Sequence, residues 1–253
     1  MTINLKRLPP RHWLLAALGI FYTMLWAGGI ATHILFGRTL PGSGWAAPAF
    51  LFAAGALVLA GSWDDWRQLA LAAAIGFAAE VMGVRTAVPF GPYRYTAVLA
   101  PNVFGVPLAV ACAWLVLSAY LRQMRMPLRL AAVWMAAIDL LIEPLAANTL
   151  DYWHWSGRSL WYGAPYTNFI GWYLVSVVIF YATRRSVPRN ATVVAVGLSI
   201  QLFFTTLAVV HQLYLPAAIG IALTAAGAAR WMSLAPQEPI SLNLTAQPRA
   251  TAN

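Results

Sequence analysis

The sequence predicts an all-α protein, a polytopic integral membrane helical bundle of seven to eight transmembrane helices. Three observations predict it. The chain is 61% hydrophobic and only 9% charged, which is not a soluble globular balance. Apolar runs of about 17 residues or more, long enough to cross a hydrocarbon core, recur along nearly its whole length. Of sixteen Lys and Arg, twelve fall on one side of the proposed spans, the asymmetry expected of cytoplasmic loops.

The spans lie near residues 13–35, 46–62, 66–84, 98–121, 129–150, 166–183, 191–211 and 213–231. Only a short HQLYLP turn separates the last two, so seven spans stand beside eight. The first run, about 23 residues, exceeds a signal-peptide apolar region and has no clear small-residue cleavage site, so it reads as a retained span. A cytoplasmic segment, 1–12, precedes a single transmembrane domain, 13–231. A polar, Pro-containing tail, 232–253, is expected to be disordered.

Lys6, Arg7 and Arg11 precede the first span; Arg67, Arg122, Arg125, Arg129, Arg184, Arg185, Arg189, Arg230 and Arg249 share their side, and Arg38, Arg85, Arg94 and Arg158 take the other. Both termini are therefore expected in the cytoplasm, with the protein in a cell inner or plasma membrane. The net charge of +9 concerns topology and membrane lipids, and no nucleic-acid partner is expected.

The single Cys112 excludes an intramolecular disulfide and any Cys-based cluster. Lys6 is the sole lysine, and no glycine-rich phosphate loop accompanies it, which excludes Walker-type nucleotide chemistry. His12, His33, His154 and His211 show no metal-ligand spacing, and Asp64-Asp65 lacks the later aspartate of a diphosphate motif. No metal and no cofactor are expected.

The remaining chemistry gathers in residues 78–108 and 139–172. Glu80 lies near the outer end of span three, whose Ala72, Gly76, Ala79 and Gly83 permit close helix approach. The loop after it carries Arg85, Phe90, Tyr93, Arg94 and Tyr95 among prolines and glycines, with both arginines placed to pair with carboxylates. On span five, Asp139 and Glu143 stand four residues apart on one face, with Pro144 removing a backbone bond beside Glu143 and Asp151 at the outer interface. A charge near the bilayer centre costs roughly 2.5–3.5 kcal/mol on insertion scales. Trp and Tyr at an interface ordinarily anchor a helix, and a lone buried Glu ordinarily ties two helices together. Repeated carboxyls on one apolar face are harder to explain that way. With Trp153, His154, Trp155, Trp161, Tyr162 and Tyr166 close behind, Glu80, Asp139, Glu143 and both aromatic loops are expected to converge in the outer half of the membrane.

Glu80 followed by GVRTAVPFGPYRYT and FGVPL, then D-x3-[D/E]-P at Asp139–Pro144, W-x-W at Trp153–Trp155 and YGAPYTNFIGW at 162–172, resembles the bacterial and archaeal carotenoid biosynthesis membrane proteins. Glu143-Pro144 stands where Asp-Pro is expected. The best-known members are carotenoid 1′,2′-hydratases acting on acyclic ends of γ-carotene-like or bisanhydrobacterioruberin-like pigments. The resemblance therefore implies a cofactor-independent hydro-lyase with a lipid-soluble carotenoid substrate, associating with other carotenoid enzymes. A carboxylic acid would protonate the less substituted alkene carbon, and water would capture the tertiary cation. Such an acid must hold its proton at neutral pH, which burial favours. Aromatic faces would steady the cation at about 0.5–2 kcal/mol each.

On this reading Asp139 is the general acid and Glu143 orients water or acts as base. Glu80 is the alternative acid or the partner of Arg85 or Arg94. The substrate-facing set is Arg85, Phe90, Tyr93, Arg94, Tyr95, Trp153, Trp155, Trp161, Tyr162 and Asn168. A carotene cyclase shares the protonation step. A proton-coupled transporter would use the same acids as a relay, but no inverted repeat is evident between the halves. A prenyltransferase would need a second aspartate-rich motif.

Overall fold

A computed structural model describes residues 10–157, 159, 161–184 and 187–234. The segment 1–9, the tail from 235 onward, Arg158 and Arg185 lie outside the described residues. Eight α-helices follow one another: α1 (Pro10–Phe36), α2 (Ala46–Gly61), α3 (Trp66–Thr86), α4 (Leu108–Gln123), α5 (Leu128–Asn148), α6 (Tyr166–Ala182), α7 (Ala191–Val210) and α8 (Tyr214–Ser233). Five of them are long and apolar enough to cross a membrane; α2, α4 and α6 are apolar and shorter. The architecture is the expected all-α membrane bundle.

At the HQLYLP turn the chain forms two helices and not one continuous one. Gln212 takes a left-handed φ of 58°, and the Leu213 amide donates back to Ala208, a helix-ending geometry that reverses the chain into α8. Span four, expected from 98, begins as helix only at Leu108. Pro101 and Pro107 deny helical amides, and residues 102–107 instead form a small hairpin, β2 (Asn102–Val103) with β3 (Val106–Pro107).

Helix α4 is the central post. Its Trp114 and Tyr120 are fully buried, and α2, α3 and α7 pack around it. Glycines make the closeness possible: a Cβ on Gly76 of α3 would collide with the Trp114 indole, and one on Gly197 of α7 with the Tyr120 ring. The small-residue face of α3 is used as its spacing predicts, with Ala72, Gly76, Ala79 and Gly83 all buried. Helix α1 packs on α2 and α7, α3 on α4 and α6, and α5 on α6 and α8.

At one end of the bundle Arg122 of α4 pairs with Asp65 in the turn before α3. At the other, the two loops noted for their aromatics meet. Strand β1 (Tyr93–Tyr95) pairs antiparallel with β4 (Trp153–Trp155), setting Tyr93 opposite Trp155 and Tyr95 opposite Trp153. This two-stranded clasp ties the α3–α4 connection to the α5–α6 connection.

Candidate active site

Because side chains alternate along a strand, Tyr93 and Tyr95 share one face of β1 and Arg94 takes the other. The tyrosine face turns onto α3. Tyr93 Oη and Tyr95 Oη both donate to Glu80 Oε2, the latter at 2.9 Å, and Trp114 Nε1 donates to Oε1 at 3.1 Å. Glu80 is buried, and these three donors satisfy both of its oxygens.

The β4 side repeats the plan. Trp153 Nε1 donates to Glu143 Oε1 at 2.8 Å, and Trp155 Nε1 donates to the same oxygen. Asn168 on α6 bridges the two acids of α5. Its Nδ2 lies 2.6 Å from Asp139 Oδ2 and 3.4 Å from Glu143 Oε2. Asp139 is wholly buried, yet its Oδ1 accepts no hydrogen bond among the described residues. The three carboxyls are close enough to interact electrostatically with one another. Rings meet across the clasp, Tyr93 tilted against Trp155 at 5.0 Å and Tyr95 edge-on to Trp153 at 5.8 Å. Burial beside Glu80 pushes the Tyr93 phenol up, so it stays a hydrogen-bond donor.

A largely apolar cavity of about 310 Å³ adjoins this cluster. Glu80 is the carboxyl on its wall, joined there by Tyr95, Tyr152, Trp153 and Trp172. Asp139 and Glu143 stand behind that wall, next to its Ile142 and Trp153. Trp172 also stacks on Trp114 at 4.2 Å, so the Glu80 donor and the cavity lining support each other.

Of the residues singled out in sequence, Glu80, Asp139, Glu143, Tyr93, Tyr95, Trp153, Trp155 and Asn168 come together. Others do not. Arg85 and Arg94 make no ion pair among the described residues. Five residues beyond Glu80, Arg85 is turned well away from it on the helix, exposed, with its guanidinium over the Phe104 ring. Arg94 is exposed on the outer face of β1, across from His154. Glu80 is therefore paired with phenols and an indole, and the expected arginine pairing is corrected. Trp161 donates to the Leu140 carbonyl and packs edge-on to Tyr162 and Phe169, not to a carboxyl. Tyr162 is partly exposed, and its carbonyl accepts from Asn148. Phe90 is buried as packing against Gly83 and Gly171. Asp151 pairs with His154 at 3.2 Å on the surface.

Two participants carry no signal in the sequence: Trp114 reads as an ordinary apolar helix residue, and nothing in α1 points to a site. Met24, Leu25, Gly28, Gly29, Thr32 and His33 of α1 nevertheless form one side of the cavity. Trp172 closes the YGAPYTNFIGW run but is not among the residues expected to face substrate.

Comparison with known proteins places the chain in a family. Residues 80–172, which supply every carboxyl and donor above, fall inside a longer matched segment. One relative is a bisanhydrobacterioruberin hydratase of Haloarcula japonica, 32% identical over 119 residues, 40% of this chain and 39% of that protein. The chain thus spans well under two thirds of that relative's length. No solved structure matches the chain. The sequence profile of the carotenoid biosynthesis proteins matches residues 45–226, and the chain belongs to that family.

Proposed function

We propose that this protein is a carotenoid hydratase, adding water across the terminal C1′=C2′ double bond of an acyclic end group to give a tertiary alcohol. The observation that carries the reading is a buried carboxyl, Glu80, on the wall of an apolar, aromatic-lined cavity, with two further buried acids behind it. Hydration of an isopropylidene group changes no oxidation state, so a proton donor, a cation site and a water suffice.

Hydrogen-bond accounting supports a division of roles. Glu80 and Glu143 have donors on both oxygens, whereas Asp139 has one open oxygen. Asp139 is the proton store, with Asn168 linking it to Glu143. Glu80, as the acid at the cavity, hands the proton to the less substituted alkene carbon. The π pair forms the new C–H bond and leaves a tertiary cation among Tyr95, Tyr152, Trp153 and Trp172, whose faces each contribute about 0.5–2 kcal/mol. Water adds to the cation and sheds a proton. A cavity of about 310 Å³ takes an end group and leaves the rest of the polyene in the bilayer. Eight crossings would return the chain to its starting side, consistent with both termini in the cytoplasm.

The test is chromatography with mass spectrometry of pigments from a host making acyclic-ended carotenoids, with and without this gene. A product heavier by one water, lost in Glu80→Gln, is the expected outcome. An isomer of unchanged mass would identify a cyclase, and an unchanged pigment profile with the protein folded in the membrane would reject the reading.

A further inference from the structure

The cavity has a second polar pole that the carboxyl cluster does not use. His33 of α1 lines it and is almost fully buried, 3% exposed. Helix α1 packs on α2 and α7, whereas α3 packs on α4 and α6, so His33 and Glu80 reach the cavity from different sides. Nothing in the family match bears on His33, since the matched segment begins at residue 45.

A histidine in an apolar wall is ordinarily a packed residue tied to a backbone carbonyl. His33 is tied to another imidazole, its Nδ1 lying 2.9 Å from Nε2 of His211, 178 residues away. The rings meet edge to face at 5.1 Å. Its other nitrogen, Nε2, has only Thr39 Oγ1 among the described residues, at the outer limit of 3.5 Å. His211 occupies the C-cap of α7 in the turn to α8 and is half-exposed. The two rings therefore join the cavity to the end of the bundle.

A hydrogen bond between two imidazoles holds one proton with one acceptor. We propose that His33 is the base that takes the proton from the water adding to the substrate, and that His211 passes a proton on to the aqueous face; this rests on the hydratase reading. Water oxygen bonds to the cationic carbon while its O–H bond breaks toward His33 Nε2. The His33 Nδ1 proton moves to His211 Nε2, and His211 releases its Nδ1 proton to solvent. As product leaves and water refills the cavity the pair runs in reverse. His211 takes a solvent proton at Nδ1, and its Nε2 proton returns to His33 Nδ1. His33 Nε2 gives its proton to cavity water and so to the carboxyl cluster, which restores both rings and makes the sum alkene plus water giving alcohol.

Purified full-length protein, assayed with an acyclic carotenoid in lipid nanodiscs, tests this with His33→Gln, His33→Ala and His211→Gln. Glutamine keeps a hydrogen bond to the partner ring but cannot take a proton. His33→Gln is expected to lower kcat by about 100-fold with KM within about twofold, and added imidazole to restore part of the His33→Ala rate. A His33→Gln rate within about twofold of wild type would make the pair a structural tie and overturn the proposal. Should His33→Gln not accumulate, His211→Gln decides: an approximately tenfold loss supports the relay, and an unchanged rate overturns it. Wild-type protein that adds no water to any acyclic carotenoid removes the hydratase reading itself, an outcome distinct from failure of the histidines alone.

Discussion

Two helical hairpins of this bundle are built to one plan and differ in two respects. In α3–β1–α4, Glu80 is held by Tyr93 and Tyr95 from an aromatic-x-aromatic strand and by Trp114 from the returning helix. In α5–β4–α6, Glu143 is held by Trp153 and Trp155 from the partner strand and by Asn168 from the returning helix. The second hairpin adds Asp139, one turn earlier, with an oxygen that no side chain satisfies among the described residues. The first instead sets its acid on the cavity wall. The comparison teaches a structural division: one hairpin sets its carboxyl on the cavity wall, and the other holds a pair of acids behind it, which on the proposed mechanism are the delivering acid and its proton reserve.

The largest effect that would break this comparison is at Glu80. Glu80→Gln is expected to reduce hydrated pigment by at least about 100-fold, read by mass spectrometry, because it removes the only carboxyl on the cavity among the described residues. Glu80→Gln activity near wild type would return the delivering role to the α5 acids. Asp139→Asn should cost somewhat less, on the order of 10- to 100-fold, with thermal stability nearly unchanged, since the amide closely mimics a protonated acid. A large fall in stability without a fall in rate would make Asp139 a structural group.

Smaller effects sharpen the contrast. Trp155→Phe removes one of two indole donors to Glu143 Oε1 and should destabilise the protein by about 1–3 kcal/mol, measured as a lowered unfolding midpoint in detergent. At the bottom of the scale, Arg94→Ala and Arg85→Ala should leave product formation within about twofold, as expected of surface substitutions. A large loss at Arg94 would contradict its place on the outer face of β1, and one at Arg85 its place on the far face of α3.

Much of this was legible in the residues. Hydropathy and loop charge locate the helices because membrane-crossing length is a physical constant. The four-residue spacing of Asp139 and Glu143 places them on one face. What stayed hidden depended on pairing across distance. The Tyr-x-Tyr and Trp-x-Trp runs are too short to announce strands, so Arg94 looked as well placed for Glu80 as Tyr93, until pairing with Trp153–Trp155 separated the two faces. Trp114 and Trp172 sit in uniformly apolar helices where periodicity carries no information about facing. His33 and His211 meet across 178 residues, and neither alone differs from an ordinary buried or interfacial histidine.

That each glutamate draws its donors from its own hairpin has a consequence for biogenesis. As the nascent chain leaves the ribosome, Glu80 has all three partners once residue 114 has emerged, and Glu143 and Asp139 have theirs once residue 168 has followed. Each acid can therefore enter the lipid already solvated by its neighbours, without waiting for the rest of the bundle to assemble. The β1–β4 clasp and the packing of α3 on α6 must wait for both hairpins, so the two halves of the carboxyl cluster come together after the costly groups have been inserted.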